Sequence, residues 1–205
     1  MPNWCYSSIS IYHNDEEKLK ALYENIQKWS KKEFKPNGFD TYGMSWLGNI
    51  AGNSGIAKWN KEKDCFEGLR TRGSLQSLYF NNGHISLSTE TAWAPMMKMW
   101  ILICDKYLPD ATILYTAEEP GMCIYETNDP DVIGMYYIDV WEPPEEFENE
   151  EPVYEAEEDY TIEFLQRAMK TDESDIEKLL KMADDIEEPW FAIHKWEAVD
   201  LSYAE

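Results

Sequence analysis

The sequence predicts an α+β fold in which two helices cover one face of an antiparallel sheet. Alternating side chains predict a strand at residues 3–13, and an Asn-Gly turn predicts a hairpin at residues 74–90. A segment with helical apolar periodicity follows each of these two features. The resulting order, β-α-(insertion)-ββ-α-β-β-β, is typical of a ferredoxin-like arrangement.

The first strand and the first helix have the clearest patterns. One face of the strand carries Tyr6 and Tyr12, and its opposite face carries smaller or apolar side chains that we expect to be buried. Asn14 suits the N-cap of the helix, and Glu17 stands three residues later, as in a capping box. The apolar stripe of this helix consists of Leu19, Leu22, Tyr23, Ile26 and Trp29.

Residues 36–74 form an insertion between the first helix and the hairpin. The segment is rich in glycine and contains Trp46 and Trp59. Because tryptophans seldom occur in disordered linkers, we expect an irregular but ordered structure here. The hairpin that follows turns at Asn81-Asn82-Gly83, where a type I′ turn is favoured.

The second helix is predicted to begin at Pro95, since proline is allowed at the first helical position. Its buried stripe consists of Met97, Trp100, Ile101, Cys104 and Leu108. Three further strands are predicted at residues 111–117, 123–126 and 135–141. We expect the last two of these strands to pair with each other.

The net charge of -22 is concentrated towards the C-terminal end. Residues 1–141 hold 18 acids and 13 bases, a net of -5, whereas residues 142–205 hold 22 acids and 5 bases, a net of -17. We therefore predict a ferredoxin-like domain at 1–141 and an acidic, helical C-terminal extension. The extension begins with an acidic arm or linker at 142–159, and residues 160–205 add two helices and a final strand on an edge of the main sheet.

Charge and hydropathy restrict the classes of function. A protein this acidic is repelled by phosphates and anionic lipid unless a local basic cluster intervenes, which argues against direct nucleic-acid binding. Such a cluster exists, because nine of the 13 bases in residues 1–141 lie between Lys28 and Arg72. No apolar run approaches the ~20 residues of a membrane span, and no signal peptide opens the chain. We therefore expect a cytoplasmic protein that does not bind membranes.

No catalytic or metal-binding motif is present. His13, His84 and His194 lie far apart, without a second histidine or a cysteine at ligand spacing. The four cysteines lack CxxC spacing, and we expect reduced thiols rather than two disulfides. These features predict no enzyme activity, no metal and no cofactor. A zinc site shared by Cys5, Cys123 and a histidine, and calcium binding by the arm, are the alternatives.

Four short patterns stand out in the first two thirds of the chain. They are Pro2-Asn3-Trp4-Cys5, Gly55-Ile56-Ala57-Lys58-Trp59, Thr91-Ala92-Trp93-Ala94-Pro95 and Glu119-Pro120-Gly121-Met122. In order and spacing they resemble the YubB ferredoxin-like family of plasmid- and phage-borne proteins. The resemblance covers about residues 2–141, with Ser54-Gly55 standing where the family usually has Trp-Gly. It implies a mobile-element origin and no enzymatic activity, and small acidic proteins of such elements often block host defence enzymes.

The acidic arm leads to the first functional hypothesis. A non-catalytic inhibitor would bind a basic, nucleic-acid-binding groove on a host protein, as an anti-CRISPR or anti-restriction protein that mimics nucleic acid does. Closely spaced carboxylates can replace phosphates, and aromatic side chains can anchor the contact. The predicted partner-binding residues are Glu145, Glu146, Phe147, Glu148, Glu150, Glu151, Tyr154, Glu155, Glu157, Glu158, Asp159 and Tyr160.

The second hypothesis is a module that binds nucleotides or single-stranded nucleic acid. Aromatic side chains of the sheet would stack on bases, and the basic insertion would hold phosphates. The predicted residues are Tyr6, Tyr12, Lys58, Lys61, Lys63, Arg70 and Arg72. Further alternatives are an arm that clamps the basic cluster of its own chain, a disordered solubilising tail and an unrecognised enzyme. A homo-oligomer in which the arm of one copy meets the basic insertion of another is also open.

Overall fold

The structure, a computed structural model, describes residues 3–36, 38 and 42–201. The chain divides into two compact units. Unit 1 comprises Met1–Asn128 together with Val199–Glu205, and unit 2 comprises Asp129–Ala198. Pro2, part of the first short pattern, and residues 202–205 lie outside the described residues. Among the helices that the structure describes, none is both long and apolar enough to cross a membrane.

Unit 1 has a mixed α and β structure built around an antiparallel sheet. Its elements are β1 (Trp4–Tyr12), α1 (Glu16–Ser30), α2 (Leu47–Ser54), β2 (Trp59–Asn60), β3 (Cys65–Phe66), β4 (Gly73–Asn81), β5 (His84–Ala92), α3 (Met97–Tyr107), β6 (Thr112–Glu119) and β7 (Ile124–Thr127). Unit 1 contributes five strands to this sheet, in the order β7-β6-β1-β5-β4, while β2 and β3 pair separately as a small hairpin. The predicted α+β class is therefore confirmed.

The two faces of β1 differ as its alternation predicts. Ile9 is buried in the register between Leu87 of β5 and Tyr115 of β6, and its neighbours on the same face are buried too. Tyr6 and Tyr12, on the other face, are exposed. One face of the sheet thus forms the core of unit 1, and the other face is open.

Helix α1 begins one residue later than the predicted capping box requires. The N-cap is Asp15, whose carboxylate accepts a hydrogen bond from the Lys18 backbone N–H at 3.1 Å. The backbone N–H of Asp15 in turn donates to the Nδ1 of His13 at 2.9 Å, which fixes the start of the helix. The predicted Asn14 cap is therefore wrong. The predicted stripe is confirmed, because its members are buried or half-buried: Leu19, Leu22, Tyr23, Ile26 and Trp29.

The insertion is ordered, as expected, but it contains regular elements that its composition conceals. Helix α2 lies within it, and a Cβ at Gly48 would collide with the Trp46 ring, as one at Gly52 would with the Phe34 ring. These two glycines therefore allow aromatic rings to pack directly on the helix backbone. The fully buried Asn49 amide donates to the carbonyls of Gly43 and Met44 at 2.8 and 3.1 Å.

The hairpin and the following helix agree with the prediction, with small differences. Asn82 and Gly83 both have positive φ, at 48° and 77°, as a type I′ turn requires. Helix α3 begins at Met97, two residues after the predicted start at Pro95. Its buried stripe includes Ile103, whereas the predicted Ile101 is only half-buried.

Unit 2 has its own sheet and its own core. Its elements are β8 (Tyr136–Val140), β9 (Val153–Ala156), α4 (Glu158–Met169), α5 (Ile176–Asp184), β10 (Phe191–Lys195) and β11 (Glu197–Ala198). Three strands pair in the order β10-β8-β9. The buried core consists of Tyr136, Ile138, Ala156, Phe164, Leu165, Leu179 and Phe191.

Two predictions about this part of the chain are wrong, the pairing of the strand at 135–141 with the strand at 123–126 and the domain division at 141. Strand β8 pairs with β9 and β10 instead of β7, so the division of the chain lies after residue 128 and not at 141. Within the predicted final strand, β10 joins this second sheet. The segment 142–159 is not a linker, because it contributes β9 and the apolar Ala156 to the unit.

Candidate functional site

Unit 2 concentrates negative charge on a folded scaffold. Residues 129–198 hold 23 acids and 5 bases, a net of -18, whereas the rest of the chain holds 17 acids and 13 bases, a net of -4. Two carboxylates of the predicted arm pair with bases of α4 or its C-cap, Glu150 with Arg167 at 2.9 Å and Glu146 with Lys170 at 3.0 Å. The excess of acids leaves most carboxylates of the unit facing water.

Most of the predicted partner-binding residues are exposed and lie in one continuous segment. The segment runs from the end of β8 through a short 3-10 turn and β9 to the first turn of α4. We define the anionic surface as its exposed acids: Glu145, Glu146, Glu148, Glu151, Glu155, Glu157, Glu158 and Asp159. Glu150 is only half-buried but is held by its ion pair.

The three predicted aromatic anchors have different environments. Phe147 packs against Trp190 with ring centroids 4.8 Å apart, so it stabilises unit 2 and its prediction as an anchor is not supported by the geometry. Tyr154 is 55% exposed, and its ring stacks on Tyr137 at 4.8 Å and 17°. Tyr160 is exposed on the first turn of α4. Two aromatic side chains therefore remain available beside the carboxylates.

Some acids of unit 2 have local structural roles. Asp175 caps α5 by accepting hydrogen bonds from two backbone N–H groups. Glu173 accepts the backbone N–H groups of Ser174 and Asp175 at 2.9 and 3.0 Å, and these bonds hold the pKa of its carboxyl below the ordinary value. Glu158 and Asp159 lie at the positive end of the α4 dipole. The carboxylates between β8 and β9 have no comparable backbone partner among the hydrogen bonds of the described residues.

Unit 1 contains a cavity of about 1030 Å³ at one end of its sheet. We call it the tryptophan pocket. Its main side chains are Trp4, Tyr42, Trp46, Trp59, Phe66, Arg70, Arg72, Trp93, Met96 and Lys98. Strand ends contribute Trp4 and Trp93, and the insertion contributes most of the rest.

One wall of the tryptophan pocket is a cluster of aromatic rings. Trp59 meets Phe66 edge-on at 4.9 Å and Trp46 edge-on at 6.3 Å. Tyr42 covers Trp46 at 4.4 Å. Such edge-to-face contacts hold the rings in fixed positions, so this wall is preformed.

The pocket is also lined by two exposed indoles, Trp4 of β1 and Trp93 of the loop after β5. Trp4 and Trp93 are 39% and 45% exposed, although both are large apolar side chains. Trp93 has a φ of 76°, a conformation that is costly for a bulky residue. The strand pairing imposes it, because the Trp93 N–H donates to the Asn3 carbonyl at 2.9 Å and Thr91 Oγ1 donates to the Ala94 carbonyl at 2.9 Å.

The pocket has a positive rim. Leu69 and Thr71 are buried, whereas Arg70 and Arg72 are exposed and both line the pocket. Within residues 3–36, 38 and 42–201, neither arginine forms an ion pair or a side-chain hydrogen bond. Lys98 adds a third cation, and Asp64 is the acid among the described lining residues.

The residues that we predicted to bind nucleotides or single-stranded nucleic acid do not all lie at one site. Arg70 and Arg72 line the tryptophan pocket, but Lys58, Lys61 and Lys63 are exposed around the β2–β3 hairpin and do not line it. Tyr6 and Tyr12 are exposed on the open face of the sheet, where Tyr12 stacks on His84 at 5.0 Å. The five strands of this sheet contain no lysine or arginine.

Residues of all four short patterns lie around this end of unit 1. Trp4 pairs across from Ala92, Trp59 and Trp93 line the pocket, and a Cβ at Gly121 would collide with the Asn3 amide. We did not predict these tryptophans as candidate ligand contacts from the sequence. The sequence contained a signal for them, because three of the four short patterns contain a tryptophan.

Two of the four cysteines, Cys5 and Cys104, are buried. All four cysteines are free thiols, and burial raises the pKa of Cys5 and of Cys104 to about 12. These two thiols are therefore protonated and non-nucleophilic near neutral pH. Cys65 and Cys123 are exposed. Among the described residues, no group of three or more His, Cys, Asp or Glu side chains is arranged to hold a metal ion.

No protein-family model, no curated protein and no solved structure matches the chain. The resemblance to the YubB ferredoxin-like family therefore stays a prediction that rests on the four short patterns.

Proposed function

We propose that the chain is a non-catalytic protein that binds and inhibits a partner protein through the anionic surface of unit 2. The observation that carries the proposal is that the acidic segment is part of a folded unit and keeps its carboxylates exposed. A disordered solubilising tail would have no need of the paired strand β9 or of the Phe147–Trp190 contact.

Order in the anionic surface favours a specific partner over a general effect of charge. A folded scaffold holds its carboxylates in place before binding, so less conformational entropy is lost when the partner docks. A net charge of -18 on residues 129–198 attracts cationic surfaces over a long range and raises the rate of association. Tyr154 and Tyr160 supply apolar contact beside the charges.

The partner that fits this surface is a protein with a basic groove that normally holds nucleic acid. Carboxylates replace phosphates in such a groove, and the partner is then blocked. That it is a host defence enzyme, and that this chain comes from a phage or plasmid, rests on the resemblance of residues 2–141 to the YubB family. The order β6-β1-β5-β4 and the positions of α1 and α3 in the chain support the ferredoxin-like assignment of unit 1.

The test compares two variants with the same change in charge. Glu145, Glu148, Glu151 and Glu155 are exposed in the anionic surface and form no ion pair among the described residues. Replacing all four with glutamine should lower the association rate of a partner captured from a host lysate by about tenfold or more. The control replaces the exposed Glu16, Glu24, Glu62 and Glu67 of unit 1 with glutamine and should change the rate by less than about twofold. Equal effects of the two variants would reject the proposal.

A further inference from the structure

We propose that the tryptophan pocket of unit 1 is a binding site for a nucleotide, with the base held by indole rings and the phosphates held by Arg70 and Arg72. This site is independent of the anionic surface. It lies wholly within residues of unit 1, and the proposal stands on the shape, the aromatic walls and the charge of the cavity.

The size and the lining of the pocket fit a small organic ligand. Its volume of about 1030 Å³ is at the upper end of the range of ligand pockets, which is about 300–1,000 Å³. Trp46, Trp59 and Phe66 provide a rigid apolar wall. Exposed indole faces at Trp4 and Trp93 give a planar ring system a surface on which to stack.

The positive rim requires that the ligand be an anion. Arg70 and Arg72 are exposed and form no ion pair among the described residues, although the chain has 40 acids and 18 bases. Arginine donates paired hydrogen bonds to phosphate oxygens, and two arginines line this pocket. An apolar metabolite would leave this charge unused, whereas a nucleotide uses both the rings and the guanidinium groups.

The backbone holds the arginine segment beside the strained tryptophan loop. The Ala92 N–H donates to the Arg72 carbonyl at 2.9 Å, one residue before Trp93. Gly73 permits this close approach, because a Cβ there would lie 2.5 Å from the Glu90 carbonyl oxygen. Trp93, with its unfavourable φ, and the two arginines therefore line the same pocket.

The charge distribution favours a free nucleotide over a nucleic-acid strand. A nucleic-acid strand that continued from the pocket across the open sheet face would meet no lysine or arginine in the five β-strands of unit 1. It would instead meet Glu90 and Glu118. Phosphates outside the pocket would thus be repelled. A ligand whose phosphates all lie near the rim avoids this cost.

Calorimetric titration of the purified full chain tests the proposal. The probes are the four ribonucleoside 5′-triphosphates, the four nucleosides and orthophosphate, each at low salt. At least one triphosphate should bind about tenfold or more tightly than its nucleoside and than orthophosphate, because only it contacts both the rings and the arginines. Failure of all triphosphates to bind, or binding equal to that of either fragment, would overturn the proposal.

Two variants and a matched control locate the site. R70Q/R72Q should weaken triphosphate binding by about tenfold or more, while K61Q/K63Q, with the same charge change outside the pocket, should weaken it less than about twofold. Trp93→Gly should also weaken binding but should not lower the melting temperature, since glycine tolerates the positive φ. Unaltered affinity in R70Q/R72Q contradicts the proposal. So does tighter binding of a single-stranded oligonucleotide that is lost in K61Q/K63Q, which would support a strand-binding module.

Discussion

The two units of this chain differ in their net charge and in the charged groups that they expose. Unit 1 is close to neutral, with a net of -4, yet it exposes two arginines on the rim of a cavity lined by rigid aromatic rings. Unit 2 has a net of -18, and three of its five bases are used in ion pairs with its own acids. The difference shows that the total charge of the chain is a poor guide to its function. The exposed charge at each proposed site is opposite to the charge of its proposed ligand.

The largest expected effect concerns the separate core of unit 2. Phe164 is 1% exposed in that core, so Phe164→Ala should lower the free energy of unfolding of unit 2 by about 3–5 kcal/mol. Hydrogen exchange should accelerate at the amides of β8, β9 and β10 and should stay slow in β1 and β5. The exposed Met182→Ala is the control, with an expected change within about 0.5 kcal/mol. Equal acceleration in β1 would show that the two cores unfold together.

The next prediction concerns the insertion that builds the tryptophan pocket. Asn49 is fully buried, donates to the carbonyls of Gly43 and Met44, and accepts the Phe34 N–H at 2.9 Å. Asn49→Ala leaves these buried groups without partners, so we expect a loss of about 2–4 kcal/mol in the free energy of unfolding. Near-ultraviolet circular dichroism should also change, because Trp46 and Phe34 pack on the same helix. A stability equal to that of the wild type would mean that the segment around α2 does not depend on this amide.

A smaller effect is expected from ionic strength on the rate at which a partner protein binds the anionic surface. Raising the salt concentration from about 0.1 M to about 1 M shortens the screening length from about 10 Å to about 3 Å. The association rate of a partner protein with the anionic surface should fall by about tenfold, since long-range attraction supplies that rate. The dissociation rate should change much less. Stopped-flow or surface-plasmon measurements give both rates, and a salt-independent association rate would show that the carboxylates do not guide the partner.

The smallest expected effect is the pH dependence of helix capping. Hydrogen bonds from the Lys18 backbone and side chain hold the pKa of Asp15 below its ordinary value. A depressed pKa means that the contribution of Asp15 is complete above about pH 4, the ordinary carboxyl pKa, and is lost as the pH falls through the folded-state value. The difference in melting temperature between the wild type and Asp15→Ala should therefore shrink below about pH 4. A difference that grows with acidity would contradict this assignment.

Local patterns predict much of unit 1 correctly. Alternation in β1 and the Asn82-Gly83 turn specify the faces and the hairpin because both depend on near neighbours in the chain. Helix α2 was missed because Gly48 and Gly52 are typical of loops. Only the structure shows that they admit the Trp46 and Phe34 rings to the helix surface.

The organisation of unit 2 could not be predicted from local patterns. Ten acids in residues 142–159 dominate the composition there and conceal the short strand β9. The pairing of β8 with β10 joins segments about 50 residues apart, and no turn signal links them. The tryptophan pocket was missed for a related reason, since its walls come from distant segments that each resemble ordinary core.

Excision of unit 2 tests the central claim most directly. The Val199 N–H donates to the Thr127 carbonyl at 3.0 Å, and Val199 and Leu201 pack on the core of unit 1. A short Gly-Ser linker can therefore replace residues 129–198. The account predicts that this variant loses binding to the captured partner and retains its affinity for nucleotide. Full partner binding by the excised chain would contradict the claim that the anionic surface is the inhibitory site.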